Sequence, residues 1–316
     1  MITLSLREGF SLLVFMLVFL AVYGLEGLLV VGYLIDRIRG QPRKRGRPAK
    51  PIIVLHVVAG IGIVCMLYGH FIEANWIDVH TTTLRTPKLK TAGFRVVQIS
   101  DLHCDWKIRN EEKMVQIVSA LKPDIVVATG DYVNHPMGLS HLRDALRRLE
   151  APLGKFAVTG NLDGRYPADF NLLEGTGLRL LRRETVVVTK GEESIGVMGV
   201  DFARSEFPLP AVEPLPDDRF DILLFHTPDL VEDVRGWGID LYLCGHTHGG
   251  QVRLPLYGAL VTFSKFGKKY ESGLYRVGAT MLYVNRGLGL EPRPGPQVRF
   301  LARPEIAVFD IVPEQP

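Results

Sequence analysis

Two long apolar runs near the N-terminus constrain this chain more than any other feature. Residues 10–35 contain one ionisable side chain, Glu26, and residues 52–69 contain only His56. Each run is long enough to cross about 30 Å of hydrocarbon as a helix. We therefore predict a membrane anchor of two transmembrane helices within residues 1–75. Because ionisable groups are costly inside a bilayer, we expect Glu26 and His56 to pair with each other.

The segment between the two runs predicts the orientation of the anchor. Residues 36–50, DRIRGQPRKRGRPAK, contain seven basic residues and a single acidic residue, Asp36. Positively charged loops stay in the cytoplasm, so the N-terminus and everything after the second helix should lie outside it, at the inner (cell) membrane. A basic arm that binds nucleic acid is the competing interpretation. A net charge of only +3 does not indicate general affinity for nucleic acid, and we expect no such partner.

The rest of the chain reads as a connector, 76–93, followed by one globular domain, 94–316. Segments rich in β-branched and apolar residues alternate with amphipathic segments, which is typical of an α/β fold, and the second half is rich in strands. The predicted strands are 94–100, 124–130, 155–161, 220–226, 239–246, 280–287 and 304–312, and the predicted helices are 110–122, 139–150 and 228–237.

Polar side chains follow five of the predicted strands at the point where each strand ends. They are Asp101 and His103, then Asp131, then Asn161 with Asp163, then His226, and finally His246 and His248. Active sites of open α/β sheets form beyond the carboxyl ends of the strands, so we expect these side chains to converge. A GD or GN dipeptide alone would indicate only a turn. Five polar clusters, each at the end of a predicted strand, are not explained by turns.

The number and type of these groups predict the chemistry. Carboxylates, imidazoles and an amide oxygen suit divalent Mn, Fe or Zn, and the sequence leaves all three open. Seven groups are too many for one catalytic zinc with an open position. They suit two metal ions about 3.5–4 Å apart, bridged by a carboxylate. The pair His246 and His248 can supply one ligand to each ion, while the adjacent glycines allow the backbone to turn sharply.

The order of these motifs resembles that of the calcineurin-like metallophosphoesterase superfamily. The family pattern is D-x-H, GD, GNH followed by an acidic residue, H, and GHxH; this chain has DLH at 101–103, GD at 130–131, GNLD at 160–163, His226, and GHTH at 245–248. The resemblance covers about residues 94–312. GHTHGGQVRLP and the later NRGLG are similar to the membrane-associated bacterial branch, which includes broad phosphodiesterases and enzymes similar to UDP-2,3-diacylglucosamine hydrolases. The implied fold is a four-layer αββα sandwich.

The resemblance also implies roles for single residues. It assigns Asp101, His103 and His248 to one metal, Asn161, His226 and His246 to the other, and Asp131 to both as the bridge. Hydroxide held between the metals would attack phosphorus in line with the leaving group. The expected catalytic residues are therefore Asp131, Asn161 and His246.

One position departs from the family motif. Leu162 stands where the family has a histidine that contacts phosphate and can protonate the leaving oxygen. General acid catalysis is typically worth about 10²–10⁴-fold, so its loss favours substrates that leave easily, such as a pyrophosphate or an aryl ester. His135 and Asp163 are the candidates for an auxiliary role in its place.

These observations predict a membrane-anchored binuclear phosphohydrolase for a phosphodiester, phosphate ester or pyrophosphate, with a substrate that the membrane itself could present in lipid-linked form. A UDP-2,3-diacylglucosamine-type pyrophosphate hydrolase and a catalytically weak metal-binding interaction protein are the alternatives. Cys104 and Cys244 each adjoin a motif histidine, and the sequence leaves open whether they pair.

Overall fold

The two apolar runs form helices in the computed structural model, which describes residues 4–40, 49–167, 169–202 and 215–314. Helix α1 is Leu6–Ile38, and helix α2 is Lys50–Leu67, extended to Asn75 by a π turn and a 3-10 turn. Both are long and apolar enough to cross a membrane, and their apolar side chains are largely exposed. Residues 41–48, with four of the seven basic side chains of the intervening loop, lie outside the described residues.

The polar groups of the two apolar helices meet as expected. His56 Nδ1 lies 2.7 Å from Glu26 Oε1, and the Tyr23 hydroxyl donates to the Ala59 carbonyl at 3.2 Å. The predicted pairing of Glu26 with His56 is thus confirmed. It joins α1 to α2 and satisfies two ionisable groups inside the apolar pair.

The globular part contains two six-stranded mixed sheets. The first has the order β1-β14-β2-β3-β4-β5 and the second β12-β13-β9-β8-β7-β6, and β10 pairs with β11 in a separate hairpin. The strands are β1 Asp78–Thr86, β2 Phe94–Ile99, β3 Ile125–Thr129, β4 Lys155–Val158, β5 Arg179–Leu180, β6 Glu184–Lys190, β7 Glu193–Gly199, β8 Phe220–Leu224, β9 Leu241–Cys244, β10 Arg253–Leu254, β11 Gly258–Ala259, β12 Gly273–Val277, β13 Thr280–Val284 and β14 Glu305–Pro313.

The sheets pack face to face over an apolar core. Strands β2 to β5 run parallel in one sheet, and β7, β8, β9 and β13 run parallel in the other. Val96, Val127 and Phe156 from the first sheet pack against Ile222 and Leu243 from the second, all buried. Burial on both faces explains why these strands are continuous apolar runs rather than alternating ones.

Two helices cover the outer face of the first sheet. They are α3, Glu111–Leu121, and α4, Gly138–Arg147, whose apolar stripes are buried against β2 and β3. Asn110 stands at the N-cap of α3, but its side chain makes no capping bond and instead donates to the carbonyls of Ala74 and Leu288. That contact ties the segment after α2 to the domain.

The outer face of the second sheet differs from the sequence prediction. The helix predicted over 228–237 is wrong, because only Pro228–Leu230 forms a 3-10 turn and the rest is a series of turns. Asp229 accepts bonds from Ser264 Oγ and Lys265 N, so tertiary contacts override helix propensity here.

The segment expected to be a connector also carries structure. Strand β1 forms the edge of the first sheet and pairs in parallel with β14, in the register Asp78–Glu305 to Thr86–Pro313. Most of its side chains are exposed or half-buried, as an edge strand allows.

Candidate metal centre

The carboxyl ends of the parallel strands bring the predicted polar side chains together. Asp101, Asp131, His226 and His246 each lie two residues beyond the end of β2, β3, β8 and β9, respectively. Asn161 lies three residues beyond β4. Because these strands run parallel within each sheet, all five side chains leave the sandwich at the same edge.

The first cluster, called site A, consists of Asp101, His103 and His248. Their ligand atoms lie within 4.8 Å of one another and all three side chains are buried. His103 Nε2 is 3.0 Å from His248 Nε2, which in turn is 3.6 Å from Asp101 Oδ1. Such close convergence of two imidazole nitrogens and a carboxylate oxygen is a donor set suited to a divalent metal ion.

The second cluster, site B, consists of Asp131, His226 and His246, again within 4.8 Å and buried. His226 Nε2 lies 3.3 Å from Asp131 Oδ2, 3.2 Å from His246 Nδ1 and 2.9 Å from Asn161 Oδ1. Asn161 therefore adds an amide oxygen to site B, and all seven sequence-predicted residues are assembled in the two clusters.

The backbone of the two sites is held in an unfavourable conformation. Among the described non-glycine residues, eleven have positive φ, and five of them belong to the sites: Asp101 (48°), His103 (47°), Asp131 (53°), His246 (71°) and His248 (51°). L-residues rarely adopt this region, and strain of this kind clusters at functional sites.

The glycines of the motifs are required by close approach. A Cβ at Gly245 would collide with Ser100 Oγ and with Asp101 Oδ2, and one at Gly160 would collide with Asp131 Oδ1. Glycine therefore lets two backbone segments pass directly against the carboxylates of both sites.

Hydrogen bonds orient three of the four imidazoles from behind. His103 Nδ1 contacts Asn134 Oδ1 at 2.6 Å, and His226 Nδ1 contacts the Thr129 carbonyl at 2.7 Å. His246 Nε2 lies 3.2 Å from the Phe263 carbonyl. Outer contacts of this type fix ring orientation at metal sites.

The charges of the imidazoles follow from burial and pairing. Burial alone would lower the pKa of His226, but the carboxylate of Asp131 raises it to about 10. Burial and the charge of His226 lower the pKa of His246 to about 4, while burial and the nearby Arg299 hold the pKa of His248 well below its usual value. His246 and His248 are thus neutral and able to bind a metal, whereas a metal in site B must displace the proton of His226.

Comparison with known proteins decides the family. The profile of the calcineurin-like phosphoesterases matches residues 94–250. The metallophosphoesterase YkuE of Bacillus subtilis is 34% identical over 77% of this chain and 88% of its own length. The phosphodiesterase YaeI of Escherichia coli is 32% identical over 78% of this chain and 92% of its own length. This chain belongs to the calcineurin-like phosphoesterase family. It is a metal-dependent hydrolase, and the family resemblance expected from the sequence is confirmed.

A third relative is named for a more specific reaction. The UDP-2,3-diacylglucosamine pyrophosphatase LpxG of Chlamydia muridarum is 26% identical over 81% of this chain and 96% of its own length.

The α/β sandwich with mixed sheets agrees with the fold expected of a calcineurin-like phosphoesterase.

Leu162, the residue that departs from the family motif, is buried beside Asp131. The Leu162 side chain is buried and its backbone N–H donates to Asp131 Oδ1 at 2.8 Å. The backbone at this position therefore orients a site B carboxylate, while the side chain has no proton to donate.

The two auxiliary candidates have different surroundings. Asp163 is buried and its carboxylate accepts from the backbone N–H groups of Asp131 (2.8 Å), Gly160 (2.7 Å) and Tyr132 (2.9 Å). Burial and the adjacent Asp131 raise its pKa to about 6. His135 is exposed, and its Nδ1 accepts from Met137 N at 3.2 Å. Asp163 thus fastens the loops after β3 and β4 to each other, whereas within the described part of the chain the His135 ring bonds to Met137 N rather than to a ligand of either site.

Three residues that sequence reasoning missed complete the surroundings of site A. Asn134 supports His103, and Arg299 Nη2 lies 3.0 Å from His248 Nδ1. Glu291 Oε1 lies 3.5 Å from His248 Nε2, and burial raises the pKa of Glu291. The distance along the chain explains why no sequence signal marked Arg299 or Glu291.

A cavity of about 250 Å³ opens beside site A. Its lining includes His103 of site A, His70 in the turn that follows α2, and Trp106, Arg109 and Leu290. The cavity thus joins the metal-binding side chains to the end of the second apolar helix.

Cys104 and Cys244 are buried and free, so the disulfide that the sequence left open is not formed. Burial raises the pKa of both thiols well above the usual value, which makes them packing residues rather than nucleophiles.

Proposed function

We propose that the protein is a membrane-anchored, binuclear phosphohydrolase that cleaves a phosphodiester, a phosphate ester or a pyrophosphate. The observation that carries this proposal is the presence of two buried donor clusters, site A and site B, at one edge of the sandwich. One ion would satisfy one cluster only. Two clusters in one site are what a two-metal phosphoesterase requires.

The donor chemistry fits two divalent ions. Asp101, His103 and His248 would hold one ion, Asn161, His226 and His246 the other, and Asp131 would bridge them. Glu291, 3.5 Å from His248, is a further oxygen donor at site A. When bound, the two ions would supply a strong nucleophile at neutral pH and offset charge on the phosphoryl group.

The protein's own residues position this chemistry and limit its substrates. Leu162 N and Asp163 fix the carboxylate and backbone of Asp131. Leu162 cannot donate a proton to a leaving oxygen, so the site favours a leaving group that needs little protonation. A pyrophosphate or an aryl ester meets that requirement better than an alkyl ester.

The contacts of the anchor support an orientation. The first turn of α1 and the segment after α2 both touch the domain, through Glu8 to Thr262 and through His70 to Gln297. Both domain-side ends then lie on one face of the membrane and the basic loop on the other. By the positive-inside rule the catalytic domain lies outside the cytoplasm, at the inner membrane. There the bilayer would present a lipid-linked substrate at high effective concentration.

Hydrolysis of bis-p-nitrophenyl phosphate by the detergent-solubilised protein tests the chemistry. We expect turnover that depends on added Mn²⁺, Fe²⁺ or Zn²⁺ and is lost in Asp131→Asn, because the aryl leaving group bypasses the missing histidine. The exposed Asp169→Asn is the matched control and should retain activity. Turnover that survives in Asp131→Asn would contradict the proposal.

The relative LpxG favours a second candidate, a UDP-2,3-diacylglucosamine-type pyrophosphate hydrolase. A nucleotide-linked substrate is made in the cytoplasm, which conflicts with the orientation above. Reporter fusions at the C-terminus decide between them: an extracytoplasmic C-terminus excludes this candidate and a cytoplasmic one favours it.

Leu162 favours a third candidate, a metal-binding interaction protein with weak catalysis. It predicts that two metals bind without turnover of bis-p-nitrophenyl phosphate, an outcome that the same assay combined with elemental analysis detects.

A further inference from the structure

Three large apolar side chains point into solvent beside the anchor helices. Leu256 is fully exposed, and Phe263 and Leu301 are 40% and 49% exposed. All three have left-handed backbone, with φ of 64°, 56° and 54°. This conformation is disfavoured for L-residues, so contacts elsewhere in the fold must stabilise the backbone that carries these exposed side chains.

The β10–β11 hairpin runs alongside the start of α1. The Tyr257 hydroxyl, next to Leu256 at the hairpin tip, hydrogen-bonds to Ser11 Oγ. Ser11 lies six residues after the N-cap Ser5, which is about 9 Å along the helix axis at the usual rise per residue. The tip therefore extends past the beginning of α1, along its apolar length.

Phe263 lies at the same end of α1. Its neighbour Thr262 donates through both N and Oγ1 to the buried Glu8 carboxylate, each at 2.7 Å. The Phe263 carbonyl faces the other way, 3.2 Å from His246 Nε2. One short loop thus connects the start of the anchor to site B.

Leu301 lies between two residues that contact the end of α2. Ala302 N donates to Glu73 Oε1 at 2.6 Å, and the Phe300 ring meets the Tyr68 ring edge-on. Nearby, the Trp76 side chain is 52% exposed and the Arg303 guanidinium lies 4.1 Å from its ring centroid. Tryptophan and long cationic side chains concentrate where a bilayer meets water.

We propose that Leu256, Tyr257, Phe263 and Leu301 form a membrane rim, a set of side chains immersed at the boundary between lipid headgroups and acyl chains. The proposal rests on the membrane anchoring proposed above, since the rim is continuous with the two helices. Its occupant is the lipid surface itself, because the rim lies beside both helix ends and the hairpin tip runs along α1.

The rim narrows the substrate class. Since the Phe263 loop contacts both the anchor and His246, the mouth of the metal centre opens at headgroup depth. A phosphoester carried by a membrane lipid would meet the two sites there without leaving the bilayer, while its polar part enters the cavity beside His103.

Tryptophan fluorescence in vesicles tests the rim. The full chain carrying Leu256→Trp in a Trp76→Phe background is reconstituted in phosphatidylcholine brominated near the glycerol end of its acyl chains. We expect the added emission to be blue-shifted and to lose most of its intensity relative to unbrominated vesicles. The exposed Val187→Trp on edge strand β6 is the matched control and should keep its emission.

A second reference separates failure of the rim from failure of the anchor. Leu20→Trp lies in the middle of α1, and lipid brominated near the chain ends should quench it if the helix spans. Quenching at residue 20 with red-shifted, unquenched emission at residue 256 would overturn the rim. Blue-shifted but unquenched emission at 256 would also overturn it and indicate a protein partner. The readout needs no turnover, so it is independent of the proposed hydrolysis.

Discussion

Asp163 offers the sharpest test of how the loops of the metal centre are held. Its two carboxylate oxygens accept three backbone N–H groups, from Asp131, Gly160 and Tyr132. The substitution Asp163→Asn keeps the size of the side chain but replaces one acceptor oxygen by an NH₂ group. At least one of the three backbone donors then faces another donor in a buried site.

The magnitude follows from these contacts. A hydrogen bond to a charged group contributes about 1.5–3 kcal/mol, and an unsatisfied buried donor costs about 1–3 kcal/mol. We therefore expect the free energy of unfolding to fall by about 2–5 kcal/mol. For a domain of this size that lowers Tm by roughly 4–20 °C.

Catalysis should fall as well, because Asp163 holds the backbone of Asp131. A displacement of about 1 Å at a catalytic group can cost about 10²-fold in rate. We therefore expect kcat for bis-p-nitrophenyl phosphate to fall by up to about 10²-fold. Thermal unfolding in detergent and initial rates measure the two effects. Asp169→Asn, an exposed change in the same loop, is the matched control. A variant Asp163→Asn with wild-type Tm and kcat would refute the positioning role.

Three further predictions follow from single contacts. Glu193 accepts from the N–H groups of Thr91 and Lys90, which lowers its pKa below the ordinary 4.5. The ionised carboxylate of Glu193 therefore stabilises the fold above about pH 4.5, and this stabilisation is lost as the pH falls through the pKa of the folded protein. The substitution Glu193→Gln should flatten the acid side of a plot of Tm against pH. An unchanged plot would contradict this prediction. Leu162→His should raise kcat for an alkyl phosphodiester by about 10²-fold or more while leaving bis-p-nitrophenyl phosphate nearly unchanged, and equal gains for both substrates would argue against general acid catalysis. His135→Gln should leave kcat and KM unchanged for both substrates, because His135 is exposed and its ring is bonded to Met137 N rather than to a ligand of either site; a fall in kcat would restore it as an auxiliary acid.

The positions of the clustered polar residues could be predicted because they follow from local rules. Asp101, Asp131, His226 and His246 come directly after apolar strands, and parallel strands deliver such residues to one edge. The sequence therefore placed them together without any knowledge of long-range contacts. The pairing of Glu26 with His56 was predictable for a similar reason, since few alternatives exist inside an apolar helix pair.

Features that depend on distant contacts could not be predicted. Arg299 reaches His248 across 51 positions of sequence, and no local pattern marks a single arginine as a buried support. The failed helix at 228–237 shows the same limit, because Asp229 is bound by Ser264 and Lys265 from another loop. Strand β1 has a local signal in its β-branched threonines, but its partner β14 lies at the far end of the domain.

Counting bound metal tests most directly whether the chain holds two metal ions in two separate clusters. Elemental analysis of the purified full chain after saturation with Mn²⁺ and removal of free metal should give two ions per chain. Site A variant His103→Gln and site B variant His226→Gln should each retain one, while exposed His135→Gln retains both. The binuclear centre would be contradicted if the wild-type protein held a single ion and one of the two site variants still held that ion.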